Sequence, residues 1–348
     1  MVFKSFHSLV TMVALVLITT GCATTTDIRA LQPAEVGAAA SLKRVGVAPF
    51  DQQAKTNVSL DSKIEAELAN YQLEQGVNYY NVVDRANLET IIKEQKFQLS
   101  GLTDKSQATK IGKLSGAQAL VVGNVSSAGI EDNNYREDRV KYVNCDSKGK
   151  NCTRREYTVS CKSRTVNLGA QVKLTDVERG DFITANNYNQ NKTWRTCEDN
   201  SSSLPSKSHG LEVLADEIAT AFVFRLVPRY ITFKVELYKK AEVKLEKLQA
   251  DQFKAGIEFI KAGRMDRAED FFALLMDATQ ARSFAVVYNY GVIKEAEGKF
   301  EEAKKLYETA DKLTLSPEKN INLALVRINK IISDHKVALE QIGRQAKR

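Results

Sequence analysis

The chain has 348 residues, which leaves room for two domains. Its hydrophobic fraction of 43% can fill ordinary cores, and its charged fraction of 27% is typical of a soluble protein. The formal charge of +7 is uneven: Arg139 to Arg164 holds eight basic residues against Asp146 and Glu156.

The first element is a short charged start at Lys4, an apolar run from Leu9 to Ile18, and then Thr19-Thr20-Gly21-Cys22. An apolar run of this length before small residues is a secretory signal rather than a spanning helix, which needs roughly 20 apolar residues. The ending is similar to a bacterial lipobox, although Thr19 stands where typical lipoboxes carry Leu. That resemblance implies acylation of Cys22 and removal of residues 1–21, and Ala23 after the cysteine implies sorting to the outer membrane. No later stretch approaches 18 apolar residues. Export excludes nucleic acid as a partner. The basic segment is then a solvated loop or a contact for anionic headgroups, glycans or an acidic protein face.

Residues 22–41 read as a flexible Thr/Ala-rich tether. A β-prone run follows at residues 43–50, then a helix over residues 60–73 with Leu60, Ile64, Leu68 and Tyr71 at helical spacing. A strand is predicted over residues 77–83. Asp84 is expected as the N-cap of a helix through Leu88, Ile91 and Ile92. A third helix covers residues 106–114, and residues 119–125 form a buried strand.

The segment at residues 131–165 reads as a basic, cysteine-containing insert. Cys145, Cys152, Cys161 and Cys197 are even in number and lie in one region, which in an oxidising compartment suggests two disulfides with three possible connectivities. A Cys145–Cys152 bond would close a tight loop, and Cys161–Cys197 would tie adjacent strands. Free thiols and a zinc site are the alternatives, but no C-x-x-C spacing occurs. Val166, Leu168, Ala170, Val172 and Leu174 alternate as in a half-buried strand. Upstream the phase shifts to Tyr157, Val159 and Cys161, which predicts a bulge or a change of face near Ser163. A turn at residues 177–181 leads to a more polar strand over residues 182–194. After a Ser-rich loop comes an amphipathic helix through Leu211, Leu214, Ile218, Phe222 and Leu226, stopped by Pro228. Ile231, Phe233, Val235 and Leu237 alternate as a last strand. The mixture is an α+β domain.

From about Lys239 the pattern is purely helical and repeats. Gly256, Gly263, Ala268 and Phe272 recur 35 residues later as Gly291, Gly298, Ala303 and Tyr307. The second copy resembles a tetratricopeptide repeat (TPR), and residues 321–342 are expected as a degenerate third copy. The resemblance implies a concave groove for a helix or extended peptide, with Phe253, Tyr288, Asn289 and Lys294 as its protein-binding residues.

Val82-Val83-Asp84-Arg85-Ala86-Asn87-Leu88, Gln95, Ser100-Gly101-Leu102 and Ile111 to Ala117 together resemble the curli-secretion lipoprotein (CsgG) family. This implies a CsgG-like α+β domain over residues 42–238, with a mixed or mainly antiparallel sheet and flanking helices. An all-α, TPR-like domain over residues 239–348 follows it. The family includes a ring-forming channel whose subunits each supply two membrane hairpins. Here the corresponding places, residues 131–164 and 185–208, hold Asn, Arg, Lys, Asp and Glu rather than an alternating apolar face, so the pore is not carried over. No phosphate loop, nucleophile elbow or H-E-x-x-H motif occurs, and the mature histidines, His209 and His335, offer no triad. Trp194, the single tryptophan, reads as strand-end packing. The expectation is a non-enzymatic outer-membrane lipoprotein facing the periplasm. It has no catalytic residue, metal or cofactor, and binds envelope proteins and further copies of itself. The rival readings are a CsgG-type secretion pore and a lipoprotein regulator of a cell-wall synthase.

Overall fold

A computed structural model describes residues 24–343 apart from 55, 75, 95–104 and 201. The expected signal sequence, Cys22, Gln95 and Ser100-Gly101-Leu102 therefore lie outside the described residues. The protein is mixed α+β, with its sheets in the N-terminal part and a helical C-terminal part. The described residues form two compact units: residues 30–231 with 331–343, and residues 24–29 with 232–330.

The α+β unit is built on a sheet of strand order β6-β2-β7-β8-β9, with β3 (Asp51–Gln52) also pairing with β7. β2 (Arg44–Val47) lies parallel to β6 (Asn81–Val82) and to β7 (Ala119–Val143). β8 (Thr153–Asp176) and β9 (Phe182–Cys197) continue antiparallel. At its base β7 is covered on both faces, which is why Ala119 to Val122 is an unbroken apolar run. Ala119, Val121 and Val125 point into a core shared with Leu60, Ile64 and Leu68 of α2 (Leu60–Asn70) and with Leu214, Ile218 and Phe222 of α5 (Lys207–Leu226). Leu120 and Val122 point the other way, onto Leu88 and Ile92 of α3 (Arg85–Glu94) and Ala108 and Ile111 of α4 (Lys105–Ser115). At Gly112 a Cβ would meet Val177 Cγ2 at 2.1 Å, so α4 approaches the β8–β9 turn as closely as it does because that residue is glycine.

Three expectations about the strands need correction. The segment read as a tether carries β1 (Thr25–Gln32) and α1 (Gly37–Ala40). Its period-2 pattern buries Thr26, Ile28 and Ala30, and β1 pairs with β10 (Arg229–Glu236). The strand expected over residues 77–83 is divided: β5 (Val77–Asn78) pairs with β4 (Gln72–Glu74), while β6 joins the main sheet. The cysteine segment is no insert but the continuous far half of β7 and β8. Their register is unbroken from Ser127↔Gly169 to Val143↔Thr153, so the phase shift near Ser163 is a change of covered face without a bulge. Val166, Leu168 and Ala170 face α5, whereas Val159 and Cys161 are buried on the opposite face beneath Tyr135 and Tyr157.

The helical unit contains two helix hairpins, α6 (Lys247–Lys261) with α7 (Met265–Ala278) and α8 (Phe284–Ala296) with α9 (Phe300–Lys312). The 35-residue recurrence has a geometric counterpart. A Cβ on Gly256 would meet the Phe272 ring at 2.7 Å, and one on Gly291 would meet the Tyr307 ring at 2.7 Å. Gly263 and Gly298 both take positive φ, at 71° and 77°, and close their helices with matching hydrogen bonds. The third copy does not repeat this. α10 (Lys319–Gln341) is one unbroken helix, because Ser333 stands where a third glycine would end it. Its last turns belong to the α+β unit, where Gln341 Oε1 accepts from the Ala34 N–H at 2.7 Å.

Candidate functional site

The four residues expected to line a peptide groove are in the core of the helical unit, with side chains already engaged. Phe253 is buried against the Phe272 ring. Tyr288 is 1% exposed and its hydroxyl donates to Glu236 O at 3.0 Å. Asn289 is fully buried and clamps the backbone of Tyr238: its Oδ1 accepts from the Tyr238 N–H at 3.1 Å, and its Nδ2 donates to the Tyr238 carbonyl at 2.9 Å. Lys294 is buried in an ion cluster with Glu269, Glu297 and Glu302.

The chain's own segment from Glu236 to Glu242 thus lies where a peptide was expected on α8. The Tyr238 ring packs edge-on against Phe284 and Tyr288, with centroids 5.3 and 4.9 Å away. Glu242 accepts from Ser283 Oγ at 2.9 Å and from the backbone N–H groups of Phe284 and Ala285 at 2.6 and 3.2 Å. A carboxylate there satisfies the free donors at the start of α8 and complements its dipole. Tyr288 and Asn289, to which the sequence assigned a ligand from outside, are bonded to this segment instead. The missed signal was the extended stretch immediately before α6, long enough to fold back onto α8.

Charged groups inside both units are likewise paired. Asp61, with 6% of its side chain exposed, accepts from Arg85 Nη2 at 2.5 Å. Arg85 also reaches Glu89 at 2.9 Å and Ser62 Oγ at 2.9 Å, which joins α3 to α2. Burial pushes the neighbouring Glu65 carboxyl up from its ordinary value. Asp84 caps α3 by accepting from the Asn87 N–H at 3.0 Å. In the helical unit the fully buried Glu295 holds Arg327 through two bonds of 2.8 and 2.9 Å, and accepts from the Tyr307 hydroxyl at 2.5 Å. Burial sends the Tyr307 phenol well above its usual range, so it stays a donor.

The cysteines form two disulfides, Cys145–Cys152 and Cys161–Cys197. Cys161 and Cys197 are register partners on β8 and β9. Glu137, Cys161 and Cys197 bring three potential ligand atoms within 4.8 Å of one another, but the bonded sulfurs are not thiolates. Arg139 covers this bond, with Nη2 3.2 Å from Cys197 Sγ and Nη1 3.2 Å from Asp199. Trp194 packs at the edge of the main core beside Gly210. An open groove of about 530 Å³ runs between α2 and α5, and the Lys63–Asp216 pair crosses it at 2.6 Å.

Beyond the point where β9 ends, β7 and β8 continue as a two-stranded ribbon whose register assigns each side chain to a face. Glu137, Arg139, Lys141 and Arg155 share one face; Arg136, Asp138, Arg154 and Glu156 share the other. No helix among the described residues is long and apolar enough to cross a membrane.

Residues 42–135 match the family model described as curli production assembly/transport component CsgG. No curated protein matches the chain. Among solved structures, the chain is similar to the C-terminal domain of LpoB from Salmonella enterica at 13% identity. That likeness covers 43% of this chain and 83% of that one, with a TM-score of 0.25. It is similar to lipoprotein GNA1162 from Neisseria meningitidis at 16% identity, over 52% of this chain and 95% of that one, with a TM-score of 0.26. For LpoB from E. coli the identity is 11%, the coverages 54% and 80%, and the TM-score 0.27. The family match runs from just before β2 to Tyr135 of β7, where the ribbon begins; the ribbon, β8, β9, α5 and the helical unit lie outside it.

Proposed function

We propose that the protein is a non-enzymatic scaffold of the cell envelope, anchored to the outer membrane by a lipid on Cys22 and facing the periplasm. The observation that carries this reading is the charge on both faces of the β7–β8 ribbon. A spanning hairpin turns one face to lipid. Either choice here exposes four ionised side chains, and at mid-bilayer Arg or Lys costs roughly 2–4 kcal/mol each. A hairpin of this composition serves in water. The match of residues 42–135 to a curli assembly/transport family supports the envelope setting.

In this reading the helical unit is a TPR-type module, supported by the recurrence of its glycine turns and ring contacts. Its α8 groove holds the chain's own segment, so partners dock on other surfaces. β9 is an edge strand of 16 residues, and a second copy of the chain pairs along it. Two measurements test the scaffold. Purified protein leaves planar bilayers silent, whereas stepwise conductance would replace the scaffold with a pore. A photo-crosslinker at the exposed Thr193 of β9 captures a second copy or an envelope protein in intact cells; recovery of uncrosslinked monomer alone would remove the assembly role.

A further inference from the structure

The end of the β7–β8 ribbon is used by nothing described so far. It extends eight ladder pairs past the Tyr135–Cys161 pair, about 27 Å at ordinary strand rise. The Cys145–Cys152 disulfide closes its loop. The single carboxylate of that loop, Asp146, is spent inside it, accepting from the N–H groups of Lys148 and Lys150 at 3.0 and 2.7 Å and from Asn151 Nδ2 at 3.0 Å. Arg154 is paired with Glu156 at 2.8 Å. Lys141, Lys148, Lys150 and Arg155 are exposed, and none pairs with a carboxylate among the described residues. Lys141 and Arg155 stand directly opposite each other across the ladder, an arrangement of like charge that costs stability unless an anion sits between them. Among these cations Tyr142 is 66% and Val140 40% exposed.

We infer that this ribbon end is a docking element for anionic phospholipid headgroups at a bilayer surface. The cations splay over one face, the loop and the strand ends, and the exposed tyrosine and valine occupy the other face. A fluid plane of phosphates with apolar chains beneath fits such an end-on arrangement, whereas an acidic protein patch would engage one face. Tyrosine beside lysine and arginine is the pairing favoured at the membrane–water interface. The contact is peripheral and salt-sensitive, and the loop disulfide holds the cations in place before contact.

The test uses the mature chain, residues 22–348, with Cys22→Ser so that no acyl chain is attached. It is co-sedimented with vesicles of phosphatidylcholine alone or with added phosphatidylglycerol. Binding to the anionic vesicles is expected, lost at high salt, with phosphatidylcholine vesicles left in the supernatant. Replacing Lys141, Lys148, Lys150 and Arg155 together by Gln lowers partitioning about fivefold per cation, several hundredfold in all. Tyr142→Ser alone lowers it about threefold. Disulfide mapping and far-UV circular dichroism of the variants stay as in the parent. Equal binding to both vesicle types, or undiminished binding by the four-residue variant, would overturn the inference. So would capture of soluble poly-glutamate without any binding to vesicles, which would assign the ribbon end to an acidic protein.

Discussion

Asn289→Ala isolates the clamp that holds Tyr238 on α8. The substitution removes both hydrogen bonds to the Tyr238 backbone and leaves an N–H and a carbonyl without partners beside a fully buried position. Two lost bonds with a partly buried, unsatisfied peptide group cost about 3 kcal/mol in local opening. Glu242 still holds the far end of the segment through Ser283, Phe284 and Ala285, so the rest of the hairpin survives. Hydrogen exchange of the Tyr238 amide should accelerate about a hundredfold, since each 1.4 kcal/mol is a factor of ten. Amides of β8, in the other unit, should keep their rates. An unchanged Tyr238 rate would refute the clamp. An equal acceleration throughout α6 to α9 would mean that Asn289 supports the whole helical core rather than this segment.

Three further outcomes follow from the packing. Arg85→Ala should destabilise the α+β unit by about 3 kcal/mol, because it strands the nearly buried Asp61; urea unfolding followed at α2 amides measures this, and a loss below 1 kcal/mol would contradict it. Burial pushes the Lys43 ammonium, seated 3.3 Å over the Tyr79 ring, down to about 8. Between pH 8 and the ordinary lysine range the unfolded chain then holds the extra proton, so stability should rise with pH there; Lys43→Met should lose that rise, and identical pH profiles would refute it. Removing Cys161–Cys197, 36 residues apart, should cost about 4 kcal/mol, and removing Cys145–Cys152, 7 apart, about 2.5 kcal/mol; thermal melts showing the reverse order would contradict the loop-length reasoning.

The elements whose sequence period matches their burial were legible. Alternation in Val166 to Leu174 and the apolar run at Ala119 each became the predicted strand, and the glycine recurrence at 35 residues became two helix hairpins with matching turns. The tether was misread because Thr and Ala look featureless, although Thr26, Ile28 and Ala30 keep strand period. The third repeat was overextended because matching Val326 and Ala338 says nothing about the turn, which needs a residue that accepts positive φ. The far half of the ribbon was taken for a loop since neither of its faces is apolar; a two-stranded ribbon in water needs no apolar face beyond the Tyr135–Cys161 cluster. Tyr288 and Asn289, expected to hold a peptide from outside, hold Glu236 and Tyr238 of the chain itself, a backfolding segment that no local pattern encodes.

Cys22 is proposed to carry the stable membrane attachment, with the folded units in water. The most direct test is the fractionation of a Cys22→Ala chain exported by a cleavable, non-lipoprotein signal. The protein should be recovered folded in the periplasmic extract after a high-salt wash. Retention in the outer membrane through high salt and alkaline carbonate would contradict the account and return the ribbon to the bilayer.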